Sequence, residues 1–227
     1  MNRYYNPVRT IEGAGCAAEL TGLLESMGLA GRNVLVLVWS EAVLDLPAFA
    51  GLSNAGFTVR TQGFRASNPT VEQLFETYQA TRDFAPEAVV AVGGGSIMDV
   101  GKSLCCLYGK ELPDADALRR LIEEKDYGRP SARWIGVPTT AGTGSETTLA
   151  AVITDSQTHH KYPINDFSLI PHVAVLDYTV TLGLPKQITA TTGMDALTHA
   201  VEAYIGRSTT KQTRQMAERA TVLIHDN

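Results

Sequence analysis

The 227 residues give room for one large domain, or for one domain and the start of a second. With 44% hydrophobic and 19% charged residues and a mean hydropathy of −0.03, the chain can build a packed core, which excludes intrinsic disorder. The net charge of −5 and short basic clusters (Arg119-Arg120, Arg129, Arg133) without aromatic interleaving argue against a nucleic-acid partner. The longest apolar run, VLVLVW, is far too short for a membrane span, and MNRYYNPVRT lacks the apolar stretch of a secretory signal. Cys16, Cys105 and Cys106 are odd in number and have no zinc-like spacing, which fits a reduced compartment. A cytoplasmic, globular protein is the expectation.

In chain order, Cys16–Gly28 reads as a helix and Val34–Val38 as a strand that ends at Trp39-Ser40. A second strand is expected over Phe57–Thr61. After Pro69, Thr70-Val71-Glu72-Gln73 reads as a capping box that opens a helix over Val71–Phe84. The strand Ala88–Val92 runs into Gly93-Gly94-Gly95 and a helix over Ile97–Tyr108, followed by another over Ala115–Lys125. Strands Trp134–Val137 and Val173–Leu176 complete the β set. Their nearly continuous apolar runs predict strands covered on both faces, hence an α/β fold around a parallel sheet. From Pro185 onward strand signals stop, and Lys186–Ile205 and Thr210–Asp226 read as helices parted by Gly206-Arg207-Ser208. The expected division is an α/β domain over 1–184 and the opening of an all-α domain over 185–227. Two helices alone seldom bury a sufficient core, so these either dock on the first domain or begin a longer helical one.

The segment AVVAVGGGSIMDVGKS is a buried strand, a glycine turn and a helix start. Glycines allow a tight turn and close approach of a ligand, and Ser96 followed by Asp99 reads as an N-cap arrangement. The amides of Ser96, Ile97 and Met98 would then point out of the helix and seat a phosphate. A plain strand-to-helix turn without a ligand fits the same residues. The pattern is not GxGxxG, and Lys102 lies too far on to be a Walker A lysine. The second polar loop, in RWIGVPTTAGTGSETT, holds six hydroxyls: Thr139, Thr140, Thr143, Ser145, Thr147 and Thr148. Alone it reads as a solvated turn, but in a parallel sheet both loops lie at the carboxyl ends of strands, where nucleotides bind.

GMDALTHAVEAY places Asp195 and His199 four residues apart on one helical face. Such a pair can hold a transition metal or can simply hydrogen-bond to itself, and a catalytic metal needs at least three protein donors. His159 and His160 fall in a polar turn, His172 flanks a strand start, and His225 lies on the last helix.

Taken together, GGGSIMD, PTTAGTGSE and GMDALTHAVEAY, in that order and separation, resemble the iron-containing (group III) alcohol dehydrogenases. The YNPVRTIEGAG start and ITDSQTHHKYPINDFSLIPHVAVLD, similar to the family's hairpin and following strand, extend the resemblance over the whole chain. It implies an N-terminal α/β dinucleotide-binding domain and a C-terminal helical domain, dehydroquinate synthase-like, with metal and substrate in the cleft between. It also implies a homo-oligomer. Gly94, Gly95, Ser96 and Asp99 would meet the pyrophosphate of NAD or NADP. Thr139, Thr140, Thr143 and Ser145 would line the rest of the cofactor, and Lys161 matches a lysine the family places near it. Asp195 and His199 match the first two of four ligands for Fe²⁺ (or Zn²⁺), and no further catalytic residue is expected. The stretch carrying the other two ligands is absent, so the chain resembles an N-terminal part. Having both Asp195 and His199 separates it from the glycerol dehydrogenase and maleylacetate reductase branches. Ser40 stands where many NAD-using members carry Asp, which makes NADP tolerable, although Glu41 is adjacent. The implied reaction interconverts an alcohol and its aldehyde or ketone, with NAD(P) as hydride carrier and a small alcohol or aldehyde as partner. A non-catalytic nucleotide-binding fragment with an incomplete metal site is the alternative.

Overall fold

Burial on two faces dictates the centre of the fold. Val34–Val38 and Ala88–Val92 are completely shielded from solvent, in runs of consecutive residues. At roughly 1.5–3 kcal/mol for each large aliphatic side chain buried, such runs can be satisfied only between two layers of helices. The computed structural model describes residues 7–227, with Pro47 by its backbone alone, so the Tyr5-Asn6 start of the first family-like segment lies outside the described residues.

Among the described residues there are eight strands: β1 (Arg9–Glu12), β2 (Asn33–Val38), β3 (Thr58–Gly63), β4 (Ala88–Gly93), β5 (Arg133–Pro138), β6 (Ala150–Thr154), β7 (Lys161–Asn165) and β8 (Val173–Leu176). Six of them form a sheet in the order β1-β8-β5-β4-β2-β3, and every neighbouring pair is parallel. The register pairs Val38 with Val92 and Gly93 with Pro138, so the ends of β2, β4 and β5 finish level. β6 and β7 make a separate antiparallel hairpin.

Period-two alternation sorts the side chains between the faces. Leu35, Leu37, Val89, Ala91 and Trp134 pack with residues of the three helices that lie between β3 and β5 in the chain. Val34, Val36, Val90, Val92, Ile135 and Val137 face the other side with Leu20, Leu24 and Leu52. The helices are α1 (Leu20–Ser26), α2 (Pro47–Asn54), α3 (Val71–Thr81), α4 (Gly95–Leu107), α5 (Ala115–Glu124), α6 (Lys186–Ile205) and α7 (Lys211–Asp226). The capping box of α3 is complete: the Gln73 N–H donates to Thr70 Oγ1 (3.2 Å) and the Thr70 N–H to Gln73 Oε1 (3.1 Å).

The structure departs from the sequence expectations at the edges. β1 and α2 were not anticipated, because β1 is an exposed edge strand with a charged residue at each end and α2 is short and interrupted by Gly51. The second strand runs over 58–63, pairing with β2 along its whole length. The first helix divides into a 3-10 turn, Cys16–Glu19, and α1, while α3 yields to a 3-10 turn at Arg82–Phe84. Helices α6 and α7 pack chiefly on each other, with Ala200 and Ala217 buried. Ile188, Met194, Val201, Tyr204, Ile205, Met216, Val222 and Leu223 stay exposed. No described helix is long and apolar enough to cross a membrane.

His172, just before β8, ties the opposite end of the sheet. Its Nδ1 accepts the Trp134 N–H (3.1 Å) and its Nε2 lies 3.0 Å from the Arg133 guanidinium. Burial and then the Arg133 charge hold its pKa below the usual imidazole value of 6.5. The folded state therefore resists a proton that the unfolded chain accepts, and stability is full above pH 6.5 and declines as pH falls below it. Urea midpoints measured from pH 7.5 to 5 should drop accordingly, and His172→Gln, which keeps an acceptor but cannot ionise, should flatten the drop.

Candidate nucleotide and metal site

Parallel pairing gathers the carboxyl ends of β2, β4, β5 and β8 on one rim, and the two loops read from the sequence meet there. The glycine turn is required first by the protein's own packing. A Cβ on Gly93 would lie 2.6 Å from Ile97 Cγ1, and one on Gly95 would lie 2.9 Å from Thr143 Cγ2. At Gly94 the nearest atom, on Thr140, would be 3.4 Å away, an ordinary contact. The hydroxyl loop thus presses on the turn, and the Thr139 N–H donates to the Gly93 carbonyl at 3.0 Å.

The expected Ser96–Asp99 cap does not form. Gly94 is the N-cap of α4 without a side-chain bond, and its carbonyl accepts from both Ile97 (3.0 Å) and Met98 (3.2 Å). Those two amides are therefore engaged, and the ones left without a protein acceptor among the described residues are Gly95 and Ser96. Asp99 has better partners than the helix end: Ser145 Oγ donates to one carboxylate oxygen (2.9 Å) and the Val152 N–H to the other (3.0 Å). Burial pushes the Asp99 carboxyl pKa up, against the Val152 N–H, the Lys102 charge and the Ser145 hydroxyl. Asp99 therefore fastens α4 to the hydroxyl loop and to β6.

Gly95, Ser96, Asp99, Thr143, Ser145, Lys161, Asp195 and His199 all line one cleft of about 410 Å³. Thr140 lines a neighbouring apolar pocket of about 250 Å³ with Pro138, Ala141, Glu146, Leu176 and Tyr178. Thr139 is buried, and Gly94 lies at the turn between the two spaces. Lys161 reaches the cleft from β7, its Nζ 3.5 Å from Asn68 Oδ1.

Two residues of this region were missed in the sequence. Asn68 adopts a left-handed backbone (φ 55°), which Asn tolerates better than most residues, and its N–H donates to Ser96 Oγ at 3.3 Å. The signal was the Asn-Pro pair before the capping box. Lys102 is buried about two helical turns beyond the glycine turn, donating to the Ala150 carbonyl (2.6 Å) and to Thr148 Oγ1 (3.1 Å).

Asp195 and His199 project from α6 over the cleft, 3.6 Å apart and exposed by 44% and 57%. The hydroxyl loop sets their position: a Cβ on Gly142 would lie 2.4 Å from the Thr192 carbonyl, so only glycine lets α6 come this near. Among the described residues no group of three His, Cys, Asp or Glu could hold a metal. The pair by itself falls short of the three protein donors that a catalytic metal site needs.

The cleft thus lies at the carboxyl rim of a parallel α/β sheet, overhung by a carboxylate–imidazole pair on a helix that follows the sheet in the chain. Residues 7–178 match the family profile "Iron-containing alcohol dehydrogenase", and residues 189–227 match "Fe-containing alcohol dehydrogenase family, C-terminal". The chain belongs to the iron-containing alcohol dehydrogenase family. It is 35% identical over 176 residues to an NADPH-dependent butanol dehydrogenase of Clostridium saccharobutylicum, covering 78% of this chain and 45% of the relative. It is 37% identical over 221 residues to the probable alcohol dehydrogenase EutG of Escherichia coli, covering 96% and 54%. The sulfoacetaldehyde reductase of Bifidobacterium kashiwanohense, solved in complex with NAD+, superposes with a TM-score of 0.84 at 30% identity, covering 99% of this chain and 58% of that one. The chain therefore spans about half the length of the relatives it matches.

With two donors, the 227-residue chain should hold Fe²⁺ or Zn²⁺ only weakly. Metal content after dialysis should fall well below one ion per chain, and Asp195→Ala should remove what remains. Tight stoichiometric metal would mean that further groups complete the site.

Proposed function

We propose that residues 1–184 bind NAD(P) and that 185–227 begin the metal- and substrate-binding part of an oxidoreductase that interconverts a small alcohol and its aldehyde or ketone. The observation that carries this reading is the juxtaposition, in one cleft, of the unengaged Gly95 and Ser96 amides with Lys161 and the Asp195–His199 pair. The cleft is of a size to take part of a dinucleotide. The two amides, at the positive end of α4, receive the pyrophosphate. The Thr143 and Ser145 hydroxyls offer partners to ribose and phosphate oxygens, although Ser145 already donates to Asp99. The neighbouring apolar pocket suits the flat face of the base. Lys161 adds a positive charge across the cleft from the turn.

Held by Gly95, Ser96, Thr143, Ser145 and Lys161, the dinucleotide would supply hydride transfer to or from the substrate carbon. The protein supplies position. A metal polarising the substrate oxygen would need donors beyond Asp195 and His199, so the steps assigned to these residues stop at binding and orienting the dinucleotide. That shortfall also supports a second reading, in which this chain alone binds nucleotide without turnover.

Gly94 is the position that tests the reading. Because its Cβ would meet nothing closer than 3.4 Å and its backbone is extended, Gly94→Ala should fold normally, with φ −85° and ψ −172° open to any residue. Cofactor affinity measured by titration should still fall by about tenfold, or 1.4 kcal/mol, since a methyl at this turn crowds the approach to the adjoining Gly95 and Ser96 amides. Unchanged affinity in the folded variant would refute the site.

Ser40 bears on which cofactor. Its Oγ accepts the Ala42 N–H (3.3 Å), capping the 3-10 turn Glu41–Asp45, and it puts no carboxylate at the end of β2 to repel a 2′-phosphate. Parallel titrations should show NADP bound at least as tightly as NAD. A strong NAD preference that vanishes in Glu41→Gln would assign the discrimination to Glu41.

A further inference from the structure

We propose that Lys102 is a positioning residue of the cleft: its ammonium holds Thr148 and the Ala150 carbonyl against α4, and the strength of dinucleotide binding follows its protonation. The inference rests on the nucleotide reading of the cleft. Lys102 touches no space where a ligand would lie. It acts through Thr148 and Ala150, both of which line the cleft, from a position only 1% exposed.

Four elements surround it. On its own helix Asp99 lies one turn earlier, carrying the hydroxyl loop and β6 on its two oxygens. From the hydroxyl loop comes Glu146, a carboxylate whose pKa burial pushes up and the Lys102 charge draws down. Thr148 and the start of β6 supply the two hydrogen-bond acceptors. From β5 the Trp134 ring lies with its centroid 5.7 Å from Nζ. Lys102 thus feels the charge of two carboxylates while its ammonium is held by Thr148 and Ala150, which line the same cleft as Gly95 and Ser96. Burying it is costly, and burial lowers its pKa from 10.5 to about 8, against the opposing pull of Asp99 and Glu146.

The sign follows from linkage. A bound pyrophosphate favours the cationic form of Lys102, so the dinucleotide should bind more tightly below pH 8 than above it, and binding should draw the titration upward. A buried lysine that merely filled space would show neither effect.

The test uses the whole chain, and first needs no cofactor. The sequence has two tryptophans, Trp39 and Trp134, so Trp39→Phe leaves the emission of Trp134 alone to report the charge beside its ring. Emission should change with a midpoint near pH 8 and should lose that transition in Lys102→Met. NADPH and NADH titrations of the unaltered chain should then show affinity falling about fivefold from pH 7 to pH 9. In Lys102→Met the affinity should be uniformly low, and Lys102→Arg, charged throughout, should restore a pH-independent affinity. If Lys102→Met does not fold, the Trp39→Phe emission and the titrations of the unaltered chain decide alone. Normal binding at pH 7 with flat emission, or with affinity unchanged to pH 9, would overturn the role of Lys102. Absence of binding at any pH would overturn the nucleotide reading, and this role with it.

Discussion

The carboxylate of Asp99 joins three segments that are far apart in the chain. One oxygen takes the Ser145 hydroxyl, 46 residues on, and the other takes the Val152 amide, 53 residues on. A buried carboxylate is costly unless its lone pairs are filled, and here both oxygens are engaged and Lys102 lies one turn away. Removing either partner would leave a buried charge short of a donor. The glycine turn, the hydroxyl loop and the β6–β7 hairpin are thereby held as one body, and each residue of the cleft except those on α6 and Asn68 belongs to it. Asn68 joins from the α3 side through the Ser96 hydroxyl.

The centre of the sheet was legible in the sequence because its strands are buried on both faces, which leaves an uninterrupted apolar run as their signature. The edges were not. β1 carries Arg9 and Glu12 at its ends with only Ile11 half-buried, a composition no strand rule separates from loop. The hairpin was legible only by resemblance, since Pro163 and the charged Lys161 hide the alternation of β7.

The candidate site divides along the same line. Its residue types were legible because glycines, hydroxyls and an Asp–His pair are marked by local spacing. Their partners were not, because those are set by contacts across tens of residues. The Ser96–Asp99 spacing suited a helix cap, yet tertiary donors at 2.9 and 3.0 Å outcompete a helix terminus for the carboxylate. Lys102 was set aside as a phosphate lysine on spacing, correctly as far as direct contact goes, but its two acceptors lie 46 and 48 residues away. Thr139 carried the same hydroxyl as Thr140 and Thr143, and only the packing of β5 against the glycine turn turns it inward.

The two halves of the cleft also differ in what fixes them. The side proposed for the nucleotide is built on α4, whose residues from Val100 to Leu107 are all buried, and on strands closed to solvent on both faces. The Asp195–His199 pair rides on α6, which packs on α7 and meets the hydroxyl loop where Thr192 closely approaches Gly142. Apolar side chains on α6 at Ile188, Met194, Val201, Tyr204 and Ile205 point in more than one direction, the pattern of a helix meant to be covered on several sides. A pair such as Asp195 and His199 holds a metal with specificity only when its helix is fixed to within a fraction of an ångström. The binding proposed for the α4 side and the metal role proposed for the α6 pair are therefore separable by measurement, because different parts of the fold set them.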